Sequence, residues 1–542
     1  MFERPWQKFY DVQNPISHTY PQVPLKEMFH RNVMDFPDKP YLVINDMELT
    51  YGTVNNLANG LANYLLSIGV KKGDRVALMM PNVPQYVIGF QACMKAGFIL
   101  VPTNFMYTKP ELEHTFKDSQ PKAVVVLAMF AQNVIELHKS GTYTFEKVLI
   151  AQIPSAPVEI ELSEDIVDLN EAILGLNDFS EPNIEVFPED IAMLQYTGGT
   201  TGVSKGCCLT NANVIAMALL TTTAITAGCP LSDIKTLAAI PLYHIYGQNT
   251  NINACLFSGG TMVLVPNPTD ILGLLKTIKQ HKPTVWAAVP AMIIGVNNHP
   301  ETPNYNVGSI KVIIGGSSPI PLEAIKKFEE LSGGAIIEGY GLSESSNVLT
   351  VNPLQKRKVG TVGIPMPDVD IKIVDLENGT EEMPIGEPGE LIAKGPQVMS
   401  EYWQNKAETE LAIRDGWLYT GDIATMDEDG YFTIVDRKKD MIICSGFNVY
   451  PRDIDEVLYT HPKVMEACAI GIPDEKRGET PKAYIVLKEG EEASAEEMIA
   501  YCRERLTGYK VPEYIEFIEE LPRTQVGKPD RKELKNIALG QQ

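Results

Sequence analysis

Long apolar runs, positive charge and patterned cysteine are all scarce in this 542-residue chain. The longest apolar run, Ala123 to Ala131, is far too short to span a bilayer, so no transmembrane segment is expected. Met1 to Lys8 carries an acidic residue and lacks an apolar core, which excludes a signal peptide by pattern. With 46 basic against 69 acidic residues the net charge is -23, and such a surface repels nucleic acid and anionic membranes as a whole. An anionic substrate therefore needs local basic groups that override the global field. The eight cysteines include adjacent Cys207 and Cys208 but show no paired spacing, so they read as reduced thiols rather than a disulfide framework. A cytoplasmic protein is the expectation. No repeat of fixed period is present.

What is present is an α/β rhythm in a chain too long for one core. Leu42 to Tyr51 alternates around Asn45-Asp46 and predicts a hairpin, followed by a helical pattern at Val54, Leu57, Leu61 and Leu65. Buried-strand runs follow at Val76 to Met80, Phe98 to Val101, Ala123 to Leu127 and Val148 to Ala151. They resume at Thr236 to Ile240, Thr261 to Val265, Thr284 to Ala288, Val312 to Ile314 and Ala335 to Ile337, with helices beginning near Asp270, Pro290 and Pro321. This predicts parallel-rich sheets with helices. From about Val369 helices give way to short β segments, a small β subdomain. A charge run, Asp436-Arg437-Lys438-Lys439-Asp440, then precedes a compact α+β unit with helices at Pro451 to Tyr459 and Ala495 to Leu506. The predicted architecture is a large N-terminal domain over 1–435, a charged boundary over 436–440 that can also serve as a hinge, and a small C-terminal α+β domain over 441–542.

The stretch around which the chain is organised is Tyr196-Thr197-Gly198-Gly199-Thr200-Thr201-Gly202-Val203-Ser204-Lys205-Gly206. It follows an apolar run that reads as a strand and precedes a helix from Asn211. Glycines let the backbone approach a ligand closely, successive N–H groups form an anion nest, and four hydroxyls with Lys205 add donors. The loop is not a Walker loop, because Lys205 is followed by Gly206 rather than Ser or Thr. On composition alone a phosphate cradle and a plain surface connection are equally supported.

Further strings carry chemistry of the same kind. Gly339-Tyr340-Gly341-Leu342-Ser343-Glu344 follows a strand, where open α/β sheets bind ligands; Tyr340 offers a flat face for a purine and Glu344 a hard oxygen for magnesium. Gly315-Gly316-Ser317-Ser318-Pro319 ends the preceding strand, where small residues admit a nucleobase or simply make a turn, with Ser318 near a helix cap. In Asp415-Gly416-Trp417-Leu418-Tyr419-Thr420-Gly421-Asp422, Asp422 is a double acceptor suited to a ribose diol, and Arg437 can bridge ribose and phosphate by a forked bond. Lys528 lies on a glycine-flanked loop near the C-terminus, where lysine is ordinarily just solvated.

These strings together resemble the adenylate-forming superfamily, from Leu49-Thr50-Tyr51 and Gly73-Asp74-Arg75-Val76 through to Lys528, and within it the AMP-forming acyl-CoA synthetases, the fatty-acid ligases among them. The resemblance implies ATP, Mg2+ and coenzyme A, a small carboxylate as substrate, and no nucleic acid. Peripheral membrane contact and a homodimer stay open. It assigns Thr197, Gly198, Gly199, Thr200, Thr201 and Lys205 to the phosphates, and Gly316, Ser317, Ser318, Gly339, Tyr340, Gly341 and Ser343 to the nucleotide. Asp422 and Arg437 take the ribose, Thr197 and Glu344 the metal, and Lys528 the α-phosphate during adenylate formation. Ser343 stands where the family has Thr, and Thr210-Asn211 where Thr-His is common. Ser445-Gly446 is assigned to the pantetheine arm. Pro241-Leu242-Tyr243-His244-Ile245-Tyr246-Gly247 resembles the acyl-pocket segment, with His244 either facing the carboxylate or serving as a satisfied core histidine.

The implied reaction has two steps, acyl-adenylate formation with loss of pyrophosphate and then thioester formation, with the C-terminal domain swinging about Lys439 between them. Aryl-acid ligases, enzymes that load a carrier protein or pass the acyl group to oxygen, and a catalytically dead nucleotide sensor share most of these motifs. The acyl group itself is left open among long-chain, medium-chain and aryl acids.

Overall fold

The computed structural model describes residues 4–10, 15–197, 204–445, 447–524 and 529–540. By packing, the described residues divide into two compact units, the first built from those within 4–197, 204–370 and 394–418, the second from those within 371–393 and 419–540.

The first unit holds two large sheets. One runs Ile364–Pro365, Thr350–Val351, Ala335–Tyr340, Val312–Gly315, Val285–Ala288, Lys235–Ala238, Thr261–Leu264, Pro40–Ile44, Met47–Thr50, parallel from Ala335–Tyr340 to Pro40–Ile44. The other runs Glu401–Tyr402, Gly206–Thr210, Ile191–Tyr196, Ile99–Pro102, Arg75–Met79, Pro121–Leu127, Lys147–Ala151, Ile166–Asp168 and is parallel from Ile191–Tyr196 onward. The predicted apolar runs are these parallel strands, buried on both faces and therefore continuously hydrophobic. The predicted hairpin closes with Asn45 in the left-handed region, at φ 49°. One contiguous core takes residues from both sheets, among them Leu42, Met262, Leu78 and Leu100, together with helices Tyr51–Ser67 and Pro84–Ala96. In Pro84–Ala96 every residue but Gln85 is buried, Lys95 included, whose ammonium meets Glu181 at 2.5 Å. All eight cysteines are buried and unpaired, as their spacing predicts. Among the described residues no helix is long and apolar enough to cross a membrane.

In the second unit Asp370–Val374, Gly389–Lys394 and Trp417–Met426 are neighbours in one sheet, and Phe432–Arg437 pairs with the last of them. A second sheet runs Phe447–Val449, Ile442–Cys444, Gly478–Leu487, Val464–Asp474, with Tyr514–Phe517 added in parallel to Gly478–Leu487. Helices Pro451–Tyr459 and Ala495–Arg503 share its core, as their apolar spacing predicts.

Two expectations need correction. The glycine loop does not lead directly into a helix: Gly206–Thr210 is a strand, paired antiparallel to Ile191–Tyr196 with Tyr196 opposite Gly206, and helix Asn211–Thr226 starts only after it. The loop therefore bridges a hairpin rather than capping a helix. Helices also do not vanish after Val369, since Lys406–Ala412 is a helix capped by Asn405, whose side chain accepts from the Glu408 N–H.

Candidate functional site

The mouth of the hairpin is well fixed. The Thr197 N–H donates to the Lys205 carbonyl at 3.0 Å, and the Ser204 hydroxyl donates to the Thr197 carbonyl. Gly198, Gly199, Thr200 and Thr201, between them, lie outside the described residues. Past the loop, Thr210 caps helix Asn211–Thr226 in a reciprocal pair with Asn213. Asn211 accepts the Leu25 N–H and donates to the Asp190 carbonyl, both at 3.0 Å, so this Asn ties helix Leu25–Asp35 to the hairpin.

Lys205 sits at the hairpin's exit. Its ammonium donates to Glu408 at 2.6 Å and lies 4.6 Å from the centre of the Tyr402 ring. Tyr402 pairs in register with Cys207 on the adjoining strand, and its hydroxyl donates to Glu344 Oε1 at 2.7 Å. Burial, then the Glu344 charge, raise the Tyr402 phenol, so it stays protonated and remains a donor. Burial likewise raises the Cys207 thiol, which makes it an inert packing group. Lys205 and Glu344, 139 positions apart in sequence, are thus joined through one tyrosine.

Glu344 belongs to a tight turn after strand Ala335–Tyr340. The Leu342 N–H donates to the Ser345 hydroxyl at 3.0 Å, the Leu349 N–H returns to the Tyr340 carbonyl at 2.7 Å, and the Met399 N–H donates to the Glu344 carbonyl at 2.8 Å. Ser343 opens the short helical turn Ser343–Ser345. Gly341 is required by this turn's own packing, since a Cβ there would lie 1.7 Å from the Asn347 carbonyl oxygen. Gly341→Ala should cost about 1–3 kcal/mol by overpacking, read as a shifted urea midpoint; a change within the noise would show that the turn yields freely.

The neighbouring parallel strand Val312–Gly315, with Gly315 opposite Glu338, ends at Gly316, Ser317 and Ser318. Gly339, Tyr340 and these residues therefore lie at the C-terminal ends of adjacent strands, where open sheets bind ligands. Ser317 takes a left-handed φ of 76°. Ser318 does not cap the next helix, whose N-cap is Pro321. At the same edge, Tyr246 donates its hydroxyl to the Ile314 carbonyl at 2.5 Å, and His244 Nδ1 accepts the Tyr246 N–H at 3.2 Å as the cap of the short helix Ile245–Gln248. That bond leaves the histidine's proton on Nε2 when the ring is neutral.

In the second unit Asp422 and Arg437 face each other in register, and Arg437 Nε lies 3.3 Å from Asp422 Oδ1. Asp422 is only 4 % exposed while the Arg437 side chain is 40 % exposed, so this ion pair is buried on its acidic side and open to solvent on its basic side. Lys438 reaches the buried Glu390 at 2.9 Å. Ser445 is left-handed and donates its N–H to the Arg477 carbonyl at 2.8 Å. Gly446 and Lys528 lie outside the described residues. Phe447 is half exposed and stacks on Tyr509, ring centres 4.6 Å apart.

Sequence reasoning did not single out Tyr402 or Glu408. No local signal marks them, since Lys205 and Glu408 meet across 203 residues. Among the described residues no group of three or more His, Cys, Asp or Glu forms a metal nest. A single carboxylate such as Glu344 nevertheless suits magnesium, which takes one or two carboxylates and completes its shell with phosphate oxygens and water.

Two sheets of this order, a glycine-rich hairpin and a second unit of α+β build are the architecture of an adenylate-forming enzyme. The AMP-binding enzyme profile matches residues 29–403 and the AMP-binding enzyme C-terminal domain profile matches 453–528, so the chain belongs to the AMP-binding enzyme family. Among similar proteins, the long-chain-fatty-acid–CoA ligase of Bacillus subtilis (strain 168) is 39 % identical over 98 % of both chains, and that of Escherichia coli O6:H1 is 38 % identical over 95 % of both. Among solved structures, the anthranilate CoA ligase AuaEII in complex with anthranoyl-AMP superposes with a TM-score of 0.85 at 26 % identity, covering 96 % of this chain and 98 % of that one. ATP-bound MatB from Rhodopseudomonas palustris gives 0.82 at 29 %, covering 94 % and 98 %. The resemblance to AMP-forming acyl-CoA synthetases drawn from the sequence holds, and with it the use of ATP, Mg2+ and coenzyme A.

Proposed function

We propose that the protein activates a fatty acid with ATP and transfers the acyl group to coenzyme A. The observation that carries this reading is the Lys205–Tyr402–Glu344 cluster at the mouth of the glycine hairpin, in a chain that matches fatty-acid ligases over nearly all its length. A carboxylate oxygen attacks the α-phosphorus of ATP, a C(O)–O–P bond forms, and the bond to the β-phosphate breaks as pyrophosphate leaves. The thiol of coenzyme A then attacks the acyl carbon; the C–S bond forms, AMP departs with the bridging oxygen, and the thiol proton is released.

In this reading the loop backbone, Thr197 and Lys205 hold the β- and γ-phosphates, while Lys528 meets the charge that grows on the α-phosphate. Magnesium bound with ATP would supply further neutralisation, and Thr197 and Glu344 are the side chains that would hold it. Tyr340 and the Gly316–Ser318 segment flank the base, and Asp422 with Arg437 holds the ribose. His244 borders the carboxylate with Nε2–H as its donor, since Nδ1 is engaged as a helix cap. Ser445 and Gly446 accommodate the pantetheine arm. Residues 1–435 form the adenylating part, 436–440 the hinge and 441–542 the part that carries Lys528. The eight buried thiols support a cytoplasmic setting.

The test is pyrophosphate release across a panel of C6 to C18 and aromatic acids, with and without coenzyme A, and direct measurement of the thioester. Release that rises with aliphatic chain length and yields an acyl-CoA supports the reading. A preference for aromatic acids moves the enzyme to the aryl ligases, and exchange without thioester moves it to carrier-protein loading.

A further inference from the structure

Lys205 and Glu344, assigned to the phosphates and to their metal, both touch one side chain that is neither an acid nor a base at working pH, and Lys205 is braced besides by Glu408 at 2.6 Å. Tyr402 is 5 % exposed and stands on a two-residue strand locked to the hairpin, with the Trp403 N–H donating to the Gly206 carbonyl at 2.8 Å. On its other side the Tyr402 N–H donates to the Thr409 hydroxyl at 3.0 Å, and the Asn405 N–H closes back on the Tyr402 carbonyl at 3.2 Å. The backbone of this residue has little freedom. Its ring presents a face to the Lys205 ammonium and its hydroxyl fixes one oxygen of Glu344, which leaves the carboxylate's other oxygen to be aimed elsewhere.

We propose that Tyr402 is a positioning residue of the phosphate site: its hydroxyl orients the Glu344 carboxylate toward the metal of Mg-ATP, and its ring holds Lys205 over the phosphates. This rests on the reading of Glu344 and Lys205 given above. The two functions separate chemically. Tyr402→Phe keeps the ring over Lys205 and removes only the bond to Glu344; Tyr402→Leu removes both. A carboxylate released from its donor rotates freely and loses its preset direction, so the loss falls on metal-dependent binding. An ammonium released from the ring loses its seat over the phosphates whether or not metal is present.

The experiment is calorimetric binding of α,β-methylene-ATP to the full-length protein with and without Mg2+, together with the Mg2+ dependence of ATP–pyrophosphate exchange. Tyr402→Phe should raise the Mg2+ concentration for half-maximal exchange about tenfold, the scale of one hydrogen bond to a charged group, with metal-free nucleotide binding within about twofold of wild type. Tyr402→Leu should also weaken metal-free binding, by about threefold or more. Because Phe conserves the buried shape, its melting temperature should stay within a few degrees of wild type. An unchanged Mg2+ dependence in Tyr402→Phe overturns the proposal, as does an equal loss with and without metal, which would mark a merely structural residue. Wild type that binds no nucleotide overturns the functional reading and this proposal together. Normal wild-type binding with an indifferent Phe variant overturns this proposal alone.

Discussion

Lys528→Ala should lower ATP–pyrophosphate exchange by about 100-fold or more while leaving thioester formation from supplied acyl-adenylate within a few-fold of wild type. The magnitude is that of losing one preorganised donor to a developing anion, about 3–4 kcal/mol. The asymmetry follows from the chemistry. Charge accumulates on the equatorial oxygens of the α-phosphate while the carboxylate attacks phosphorus; in the second step it builds on the acyl oxygen and then on the bridging oxygen that leaves with AMP, and the proposed swing of the C-terminal part has by then withdrawn Lys528 from the site. The chain on either side of this lysine is well held. The Asp530 N–H donates to the Pro522 carbonyl at 2.7 Å, Arg523 bridges to Pro529, and the Arg523 guanidinium forks onto Glu466 at 2.6 and 2.7 Å. Equal losses in the two half-reactions would remove Lys528 from the role assigned to it.

The parts of the fold that could be read in the sequence are those in which structure is local. Buried parallel strands announce themselves as apolar runs, and Asn45-Asp46 marks its hairpin because Asn tolerates the left-handed backbone. Strand Gly206–Thr210 escaped because Gly-Cys-Cys-Leu-Thr is short, directly follows a glycine loop, and is made a strand by partners on both sides, Ile191–Tyr196 and Glu401–Tyr402. The site divides in the same way. Motif residues such as Thr197, Glu344 and Asp422 were legible because their spacing resembles a family. Their supports were not, since Tyr402 reaches Glu344 across 58 residues and no local pattern records such a contact. Gly341 shows the converse: its motif position reads as a ligand contact, yet the turn's own packing already demands glycine there.

The C-terminal helix Arg531–Leu539 is held by one buried knot, and breaking it should be the largest single-residue loss of stability in the second unit. Asp455, on helix Pro451–Tyr459, accepts Arg531 Nη2 at 2.5 Å through Oδ2 and the Ala469 N–H at 2.6 Å through Oδ1, while Arg531 Nε donates to the Ala469 carbonyl at 3.1 Å. One helix, the strand Val464–Asp474 and the C-terminal helix thus meet at four polar groups, with the charges of Asp436 and Asp440 also acting on Arg531. Burial raises the Asp455 carboxyl while Arg531 pulls it back, so the residue's charge is sustained by the pair rather than by solvent. Asp455→Ala removes the nearest counter-charge from a partly buried guanidinium, leaving the charges of Asp436 and Asp440, and should cost about 2–3 kcal/mol, seen as a lowered unfolding midpoint and faster amide exchange across 531–539. Because Arg531 stands three residues beyond Lys528, adenylate formation should also slow at temperatures where the fold survives. If the cost comes from the orphaned charge, Arg531→Met added to Asp455→Ala should recover a large part of it, with a coupling of about 2 kcal/mol between the two sites. Strictly additive losses would instead mean that each residue acts through its own packing, and that the helix is anchored elsewhere.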